Sequence, residues 1–458
     1  MFKEKGKLAN PFKKRVFIIL VLLITITGIF LRLFNSTNVN KLSPDENIFL
    51  QQARTIVVYG LGAVKTMVHD YNIQKELWMY PSPHRVGYIL PLAAFMKITG
   101  IYDARIGIYI SCFASILTMV IILLIGLRFF NQWITLFALL FFSVSPMALA
   151  VARRTWQEAL LGFIGILMLY CMCEITRNSK KVMWFVLFVL LGSYCMVIKS
   201  TGIIVYGLCV IWVFWVLIKE KSFSKLFFLI FISGLGAGAA ICFLIKIVGG
   251  VDPLMNLYKN LKYGVVTSEY ARENASGPWY HYFEMLWMLC PLSTILFIYC
   301  IIMKLLLVIL QNVLSYLKKK KQELFANSKT LSEIYKKSVI AKGAENDVAC
   351  CVIYFVIAFL AFLFIAKEHS LNLRYAGVIY APFYLLCGLG LWYTIMFFRW
   401  ISRSFAQYVI IPCVIIVLVV TPYDDYRNFK KYIVKSGIVD LSIGLFRGVN
   451  LYYYWNKT

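Results

Sequence analysis

Carboxylates are scarce in this chain, with 21 Asp and Glu against 47 Lys and Arg among 458 residues and a formal net charge of +26. Each acid can therefore be weighed individually. No collagen, heptad or longer internal repeat is present, which excludes fibrous and solenoid architectures. All 12 cysteines lie in or beside apolar runs, so neither a disulfide framework nor a zinc knuckle is expected. What fills the chain is apolar: 61% hydrophobic residues, a mean hydropathy of +0.76, and many runs long enough to cross a hydrocarbon core of about 30 Å. A soluble globular protein is excluded. Lipid offers no partner to an unpaired backbone group, so these runs become helices, and the fold class is all-α, a polytopic helical membrane protein.

Twelve apolar runs occur, and one of them is unsuited to crossing. Val86 to Gly100 is short and carries Pro91 and Lys97, which places it among interfacial segments. If that run stays at the surface and the Lys-rich N-terminus is cytoplasmic, Arg128, Arg177 to Lys181, Lys219 to Lys221, Lys318 to Lys321 and Arg399 all fall inside, as short cytoplasmic loops prefer. About 11 transmembrane helices result. The run Val16 to Phe34 is expected to remain as an uncleaved anchor. The same orientation gathers Asp45, Glu46, Asp70, Glu76, Glu158, Asp252, Glu269, Glu273 and Glu368 on the external side. The organisation expected is a membrane domain over 1–421, with external loops at 36–104 and 249–284, a basic cytoplasmic loop at 312–347, and a short external segment at 422–458 ending in the aromatic patch Tyr452 to Trp455.

Four external segments carry the chemistry. Asp45 and Glu46 open what reads as an amphipathic surface helix, begun by Ser43 and Pro44 and stopped at Gly60; plain helix capping explains acids there equally well. Tyr80 to Tyr88 lead a proline pair, His84 and Arg85 into the short interfacial helix, where a cation can hold a phosphate or reach lipid headgroups. Arg153 and Glu158 sit where a helix re-enters the membrane, as a local ion pair or as a site. Arg374 and Tyr375 close a short loop before Pro382, and arginine grips phosphate through two donors. Lys199 offers a further cation at the end of its span. The aromatics of the 249–284 loop, among them Tyr258, Tyr263, Tyr270, Trp279, Tyr280 and Tyr282, suit either sugar faces or a membrane interface.

The order of Asp45-Glu46 with Ala53 and Gly60, Pro81 to Pro83, Arg153 and Glu158, Gly192 to Lys199, and Arg374-Tyr375 with Pro382 resembles the integral-membrane glycosyltransferases of the C type. It is similar to the branch of protein O-mannosyltransferases and lipid A aminoarabinose transferases, and more distantly to oligosaccharyltransferase catalytic subunits, over roughly residues 15 to 390. The resemblance implies inverting transfer of a sugar from a polyprenyl-phosphate-linked donor to a lipid, glycan or protein acceptor on the external face of a bacterial-type cytoplasmic membrane. It implies Asp45 as base, with Glu46 and Glu158 as further catalytic candidates. Arg85, Lys199 and Arg374 would hold the donor phosphate, and His84, Arg153 and Tyr375 the substrates. A divalent metal on Asp45, Glu158 and His84 or His281 is left open, with oxygen ligands favouring magnesium or manganese and histidine favouring zinc. The chain departs from the family in having Glu158 where an aspartate is usual, and Ser82 between its prolines. No nucleic-acid partner is expected, since loop orientation accounts for most of the positive charge.

Two competing functions remain. A flippase or transporter of lipid-linked saccharides needs ionisable groups inside the bundle, yet Val182 to Val197 and Ile203 to Leu217 have none. A polysaccharide polymerase or ligase shares the external chemistry and differs in taking a lipid-diphosphate oligosaccharide.

Overall fold

The computed structural model describes residues 11–37, 42–267, 280–320, 344–365, 372–402, 404 and 406–434. Outside them lie most of the basic loop, Glu269, Tyr270, Glu273 and Trp279, the stretch Lys367 to Leu371 with Glu368, and the terminal aromatic patch.

Seventeen α-helices form among the described residues. The first four are α1 (Pro11–Leu33), α2 (Pro44–Tyr59), α3 (Ala63–Ile73) and α4 (Val86–Thr99). They are followed by α5 (Ala104–Phe129), α6 (Gln132–Val144), α7 (Pro146–Ala152), α8 (Glu158–Arg177), α9 (Val182–Ile198) and α10 (Thr201–Lys219). Next come α11 (Phe223–Val248), α12 (Val251–Thr267), α13 (His281–Leu289) and α14 (Pro291–Lys320), then α15 (Ala344–Ile365), α16 (Tyr380–Ile401) and α17 (Ile411–Asn428). Among the described residues seven apolar segments are long enough to span a membrane, and α6 with α7, bent by 56°, makes an eighth if the pair is one span. Four shorter apolar helices, Val86–Thr99, Val182–Ile198, Pro291–Leu306 and Asp347–Leu363, stand beside them.

The core is a helical bundle in which α6 packs on α16, α5 on α8, and α8 on α9. The surface helix expected after Ser43 is α2. Ser43 caps it by accepting from the Glu46 backbone at 3.3 Å, Glu46 returns the bond to the Ser43 N–H at 2.7 Å, and Gly60 ends it at φ +73°. Phe49, Ala53 and Ile56 turn inward against α4. Helix α4 in turn meets the end of α9 backbone to backbone: a Cβ on Gly87 would lie 2.7 Å from the Ile198 nitrogen. That close approach carries Arg85 towards Lys199.

Two segments differ from the sequence reading. The run 132–150 is expected as one span, but it breaks at Ser145-Pro146, because proline removes a helical donor and forces an extended residue before it; Ser145 has ψ 121° and caps α7 by accepting from the Ala148 N–H at 3.1 Å. At the other end, α17 runs without interruption through Thr421, the expected domain boundary.

The break leaves the last carbonyls of α6 without helical partners inside an apolar bundle. Arg32 supplies them. Fully buried, it donates to the Ser143 carbonyl at 3.0 Å, the Phe142 carbonyl at 3.2 Å, the Gly28 carbonyl at 2.9 Å and Ser115 Oγ at 2.7 Å, knitting α1, α5 and α6 together. Replacing it with methionine keeps the bulk and removes the donor to the Ser143 carbonyl and to Ser115. We expect Arg32→Met to destabilise the protein by about 3 kcal/mol, read as a lowered unfolding midpoint in detergent. An unchanged midpoint would remove Arg32 from this role.

Candidate functional site

Helix α8 starts at Glu158, α9 ends at Ile198, and a 3-10 turn over Leu373–Ile379 precedes α16. With the start of α2 these junctions converge on one place, since helix ends are where a buried chain can present side chains without breaking its own ladder. The approach of the 3-10 turn to α8 is tight: a Cβ on Gly162 would lie 3.0 Å from the Gly377 carbonyl oxygen, and one on Gly377 would lie 3.4 Å from the Glu158 Cβ.

Three carboxylates and three cations pair there. Asp45 holds Arg374 through a carboxylate–guanidinium bond across 329 positions of sequence. Glu158 holds Lys199 Nζ at 2.8 Å, both nearly fully buried. Glu46 holds Arg154, accepting from Nε at 3.0 Å, and accepts from the Thr155 N–H at 2.8 Å. Aromatic rings separate the cations. Trp156 lies under both Arg154, 5.4 Å from the ring centre, and Arg374, at 5.2 Å. Tyr375 lies under Arg374 at 5.4 Å and Lys199 at 4.1 Å. A fourth cation, Arg85, approaches through Gln157: with its amide turned to suit both neighbours, Gln157 donates to the Ile198 carbonyl at 3.0 Å and accepts from Arg85 Nη1 at 2.8 Å. Among the described residues the cluster thus holds four cations and three carboxylates.

The expected residues divide. Asp45, Glu158, Lys199, Arg374 and Tyr375 come together, with Arg85 one side chain away. Glu46 has no exposed surface, and its oxygens are taken by Ser43, Arg154 and Thr155, so it holds the loop rather than facing a ligand. Arg153 does not meet Glu158; it donates to the carbonyls of Leu31 at 3.1 Å and Asn35 at 3.0 Å, closing the end of α1. Arg154, Trp156 and Gln157 are the members that sequence reasoning passed over. Arg154 and Arg153 are the same residue type side by side, and nothing in the sequence chooses between them.

The metal set fares differently. Among the described residues no group of three His, Cys, Asp or Glu side chains is placed to hold an ion. Asp45 and Glu158 are each satisfied by a cation, and the side chain of His281, which heads α13, lies outside the described residues. Among the described residues, as arranged, the donors do not fit a metal.

His84 is buried, bonded through Nδ1 to Ser82 Oγ at 2.7 Å and packed on Tyr258 at 5.1 Å between centroids. Its Nε2 has no hydrogen-bond partner. Burial first, and the Arg85 charge second, depress its pKa to about 3, so the ring is neutral at pH 7.

Comparisons with known proteins agree with this architecture. Residues 84–250 match a family model described as dolichyl-phosphate-mannose-protein mannosyltransferase, a stretch that includes Arg85, Arg154, Glu158 and Lys199. No curated protein sequence matches the chain. The archaeal oligosaccharyltransferase AglB from Archaeoglobus fulgidus, solved with an inhibitory peptide and a dolichol-phosphate, is similar with a TM-score of 0.55 at 12% identity, over 92% of this chain and 56% of AglB. ArnT from Cupriavidus metallidurans, solved bound to undecaprenyl phosphate, is similar with a TM-score of 0.54 at 12% identity, over 92% of this chain and 76% of ArnT. This chain thus spans little more than half the length of AglB. The resemblance is thus met by a family match over residues 84–250 and by a helical fold shared with AglB and ArnT.

Because the unfolded chain takes up a proton at His84 near pH 6.5 and the folded chain does not until about pH 3, the His84 contribution is complete above pH 6.5 and is lost progressively as pH falls. Between pH 6.5 and 5 the loss amounts to about 2 kcal/mol. Unfolding midpoints in detergent should fall over that interval, and the fall should be shallower in His84→Asn. Equal slopes in the two proteins would show that His84 is not buried as a neutral ring.

Proposed function

We propose that this chain is a membrane glycosyltransferase that moves a sugar from a polyprenyl-phosphate carrier to a hydroxyl on an acceptor, inverting the anomeric carbon. The carrying observation is the pairing of Asp45 with Arg374 beside that of Glu158 with Lys199: two carboxylates and two cations at one junction of helix ends. The dolichol-phosphate of AglB and the undecaprenyl phosphate of ArnT support the same class of carrier here. The distribution of Lys and Arg supports a cytoplasmic N-terminus and a site on the external face of a bacterial-type cytoplasmic membrane.

The donor phosphodiester competes with Asp45 for Arg374 and is further held by Lys199, with Arg85 behind them. Asp45, released from its guanidinium, takes the proton of the acceptor hydroxyl. The acceptor oxygen bonds to the anomeric carbon from the face opposite the phosphate, and the carbon–oxygen bond to phosphate breaks with its electron pair leaving on the polyprenyl phosphate. The negative charge that appears on the leaving phosphate is met by Arg374 and Lys199. Glu158 keeps Lys199 charged and in place, Tyr375 and Trp156 fix the planes of the cations, and Glu46 with Arg154 positions the start of α2. Glu158 is thus a positioning residue, as is Glu46.

Labelled sugar offered on a panel of polyprenyl-phosphate monosaccharides, in membranes holding the chain, tests the reading. Asp45→Asn should lower transfer by about 100- to 10,000-fold, and Arg374→Lys, which keeps charge and loses the planar fork, by about 10- to 100-fold. Full transfer by a folded Asp45→Asn protein would move the base elsewhere, and no transfer from any donor by the unmodified chain would overturn the proposal.

A further inference from the structure

A groove of about 650 Å³ opens between α2, α3 and the segment Leu77 to Pro83. Gln51 lines it at α2, and the rest of the α2 wall is Ile48, Gln52, Thr55 and Tyr59. With Asp45 the latter positions follow one another at intervals of three and four, so they form one stripe of the helix. Asp45 is the head of that stripe, about 4.5 Å of helix rise from Ile48. The groove therefore lies along the stripe of α2 that is headed by the residue proposed as base.

Its chemistry is unlike that of the ion-pair cluster. Although the chain carries 47 Lys and Arg, the described lining contains neither type, and its one charged group is Asp70. The lining also carries the amides of Gln51, Gln52 and Gln74 and the side chains of Tyr59, Tyr71 and Tyr80. The walls are fixed. Tyr71 donates from its hydroxyl to the Trp78 carbonyl at 3.1 Å, Trp78 Nε1 returns a bond to the Tyr71 carbonyl at 2.7 Å, and Gln52 Nε2 donates to the Pro81 carbonyl at 3.0 Å. Gln52 Oε1 is left without a partner.

Planar amides and a carboxylate take hydroxyl pairs through two bonds, and aromatic faces take the apolar side of a sugar ring. A phosphate would meet no cation here. The volume lies within the range of about 300–1,000 Å³ usual for small-molecule sites. We infer that this groove binds an uncharged saccharide and is the acceptor site, so that the acceptor is a glycan or the neutral sugar headgroup of a lipid. The catalytic half of this inference rests on the proposed function; the binding half does not.

The test uses the full chain in a detergent without a sugar headgroup, with unfolding midpoints read against neutral di- to tetrasaccharides, a serine/threonine peptide, a phosphorylated disaccharide, and polyprenyl phosphate. At least one neutral oligosaccharide should raise the midpoint of the unmodified chain. Gln51→Trp, an exposed position where the indole fills the groove, should weaken that binding by about tenfold or more, as should Asp70→Asn by removing a charged hydrogen bond. Both variants should keep the response to polyprenyl phosphate, which also shows that they fold. The inference is overturned if no neutral oligosaccharide stabilises the chain, if both forms respond equally, or if the peptide or the phosphorylated sugar binds in their place. Loss of the polyprenyl-phosphate response in the unmodified chain would count against the proposed donor instead, leaving the groove result to be read on its own.

Discussion

Glu46 is a carboxylate with no exposed surface, and the arrangement of the site depends on how it is satisfied. Its two oxygens close the N-terminus of α2 through Ser43 and bind the 154–155 backbone and guanidinium that precede α8. A surface helix is thereby fixed to the joint between two membrane helices, more than a hundred residues away in sequence. Removing either partner of such a pair leaves an uncompensated charge, at a cost of about 3 to 5 kcal/mol. The neighbouring Asp45 inherits its position from this latch. It is the preceding residue in the same first turn.

The second constraint is that cations of like sign share a small space. Arg154, Arg374 and Lys199 repel one another, and the structure separates them by aromatic faces and gives each a carboxylate. Trp156 and Tyr375 attract the cations on either side through their ring quadrupoles. The same rings form flat walls without hydrogen-bonding obligations of their own at the cations' positions. A phosphate entering between Arg374 and Lys199 would replace carboxylate oxygens with phosphate oxygens of similar geometry, so the cations need not be rebuilt to receive it.

Much of this was legible in sequence because membranes make charge expensive. Asp45, Glu158, Lys199 and Arg374 stand out against an apolar chain, and a short run with proline and lysine announces itself as non-crossing. The α2 helix was readable to its caps, since Ser43, Glu46 and Gly60 act locally. Partner choice was not readable. Spacing favours Arg153 with Glu158, yet residues 153 to 157 are not helical, so the five-residue offset does not bring the two side chains face to face, and Lys199 takes the carboxylate. Nor does hydropathy reveal the bend at Ser145-Pro146: the run remains apolar across it, and the carbonyls it frees are answered by an arginine from the first helix.

Charge movement explains why Arg374 should touch the base at rest. In the proposed transfer the acceptor proton neutralises Asp45 while the leaving phosphate gains a second negative charge, so the total is unchanged and one charge passes from carboxylate to phosphate. A cation bound at only one end of that path would stabilise either the start or the finish. Arg374 reaches Asp45, shares the Tyr375 ring with Lys199, and has a planar fork with separate donors for two partners. Its favourable interaction can grow with the phosphate charge as that with Asp45 fades, which is the differential stabilisation that lowers a barrier rather than merely binding substrate. Lysine at the same position, a single point charge, would have to choose between the two ends. In the proposed transfer that requirement suits an arginine at 374, while Lys199, which Glu158 holds in place, meets the phosphate end alone.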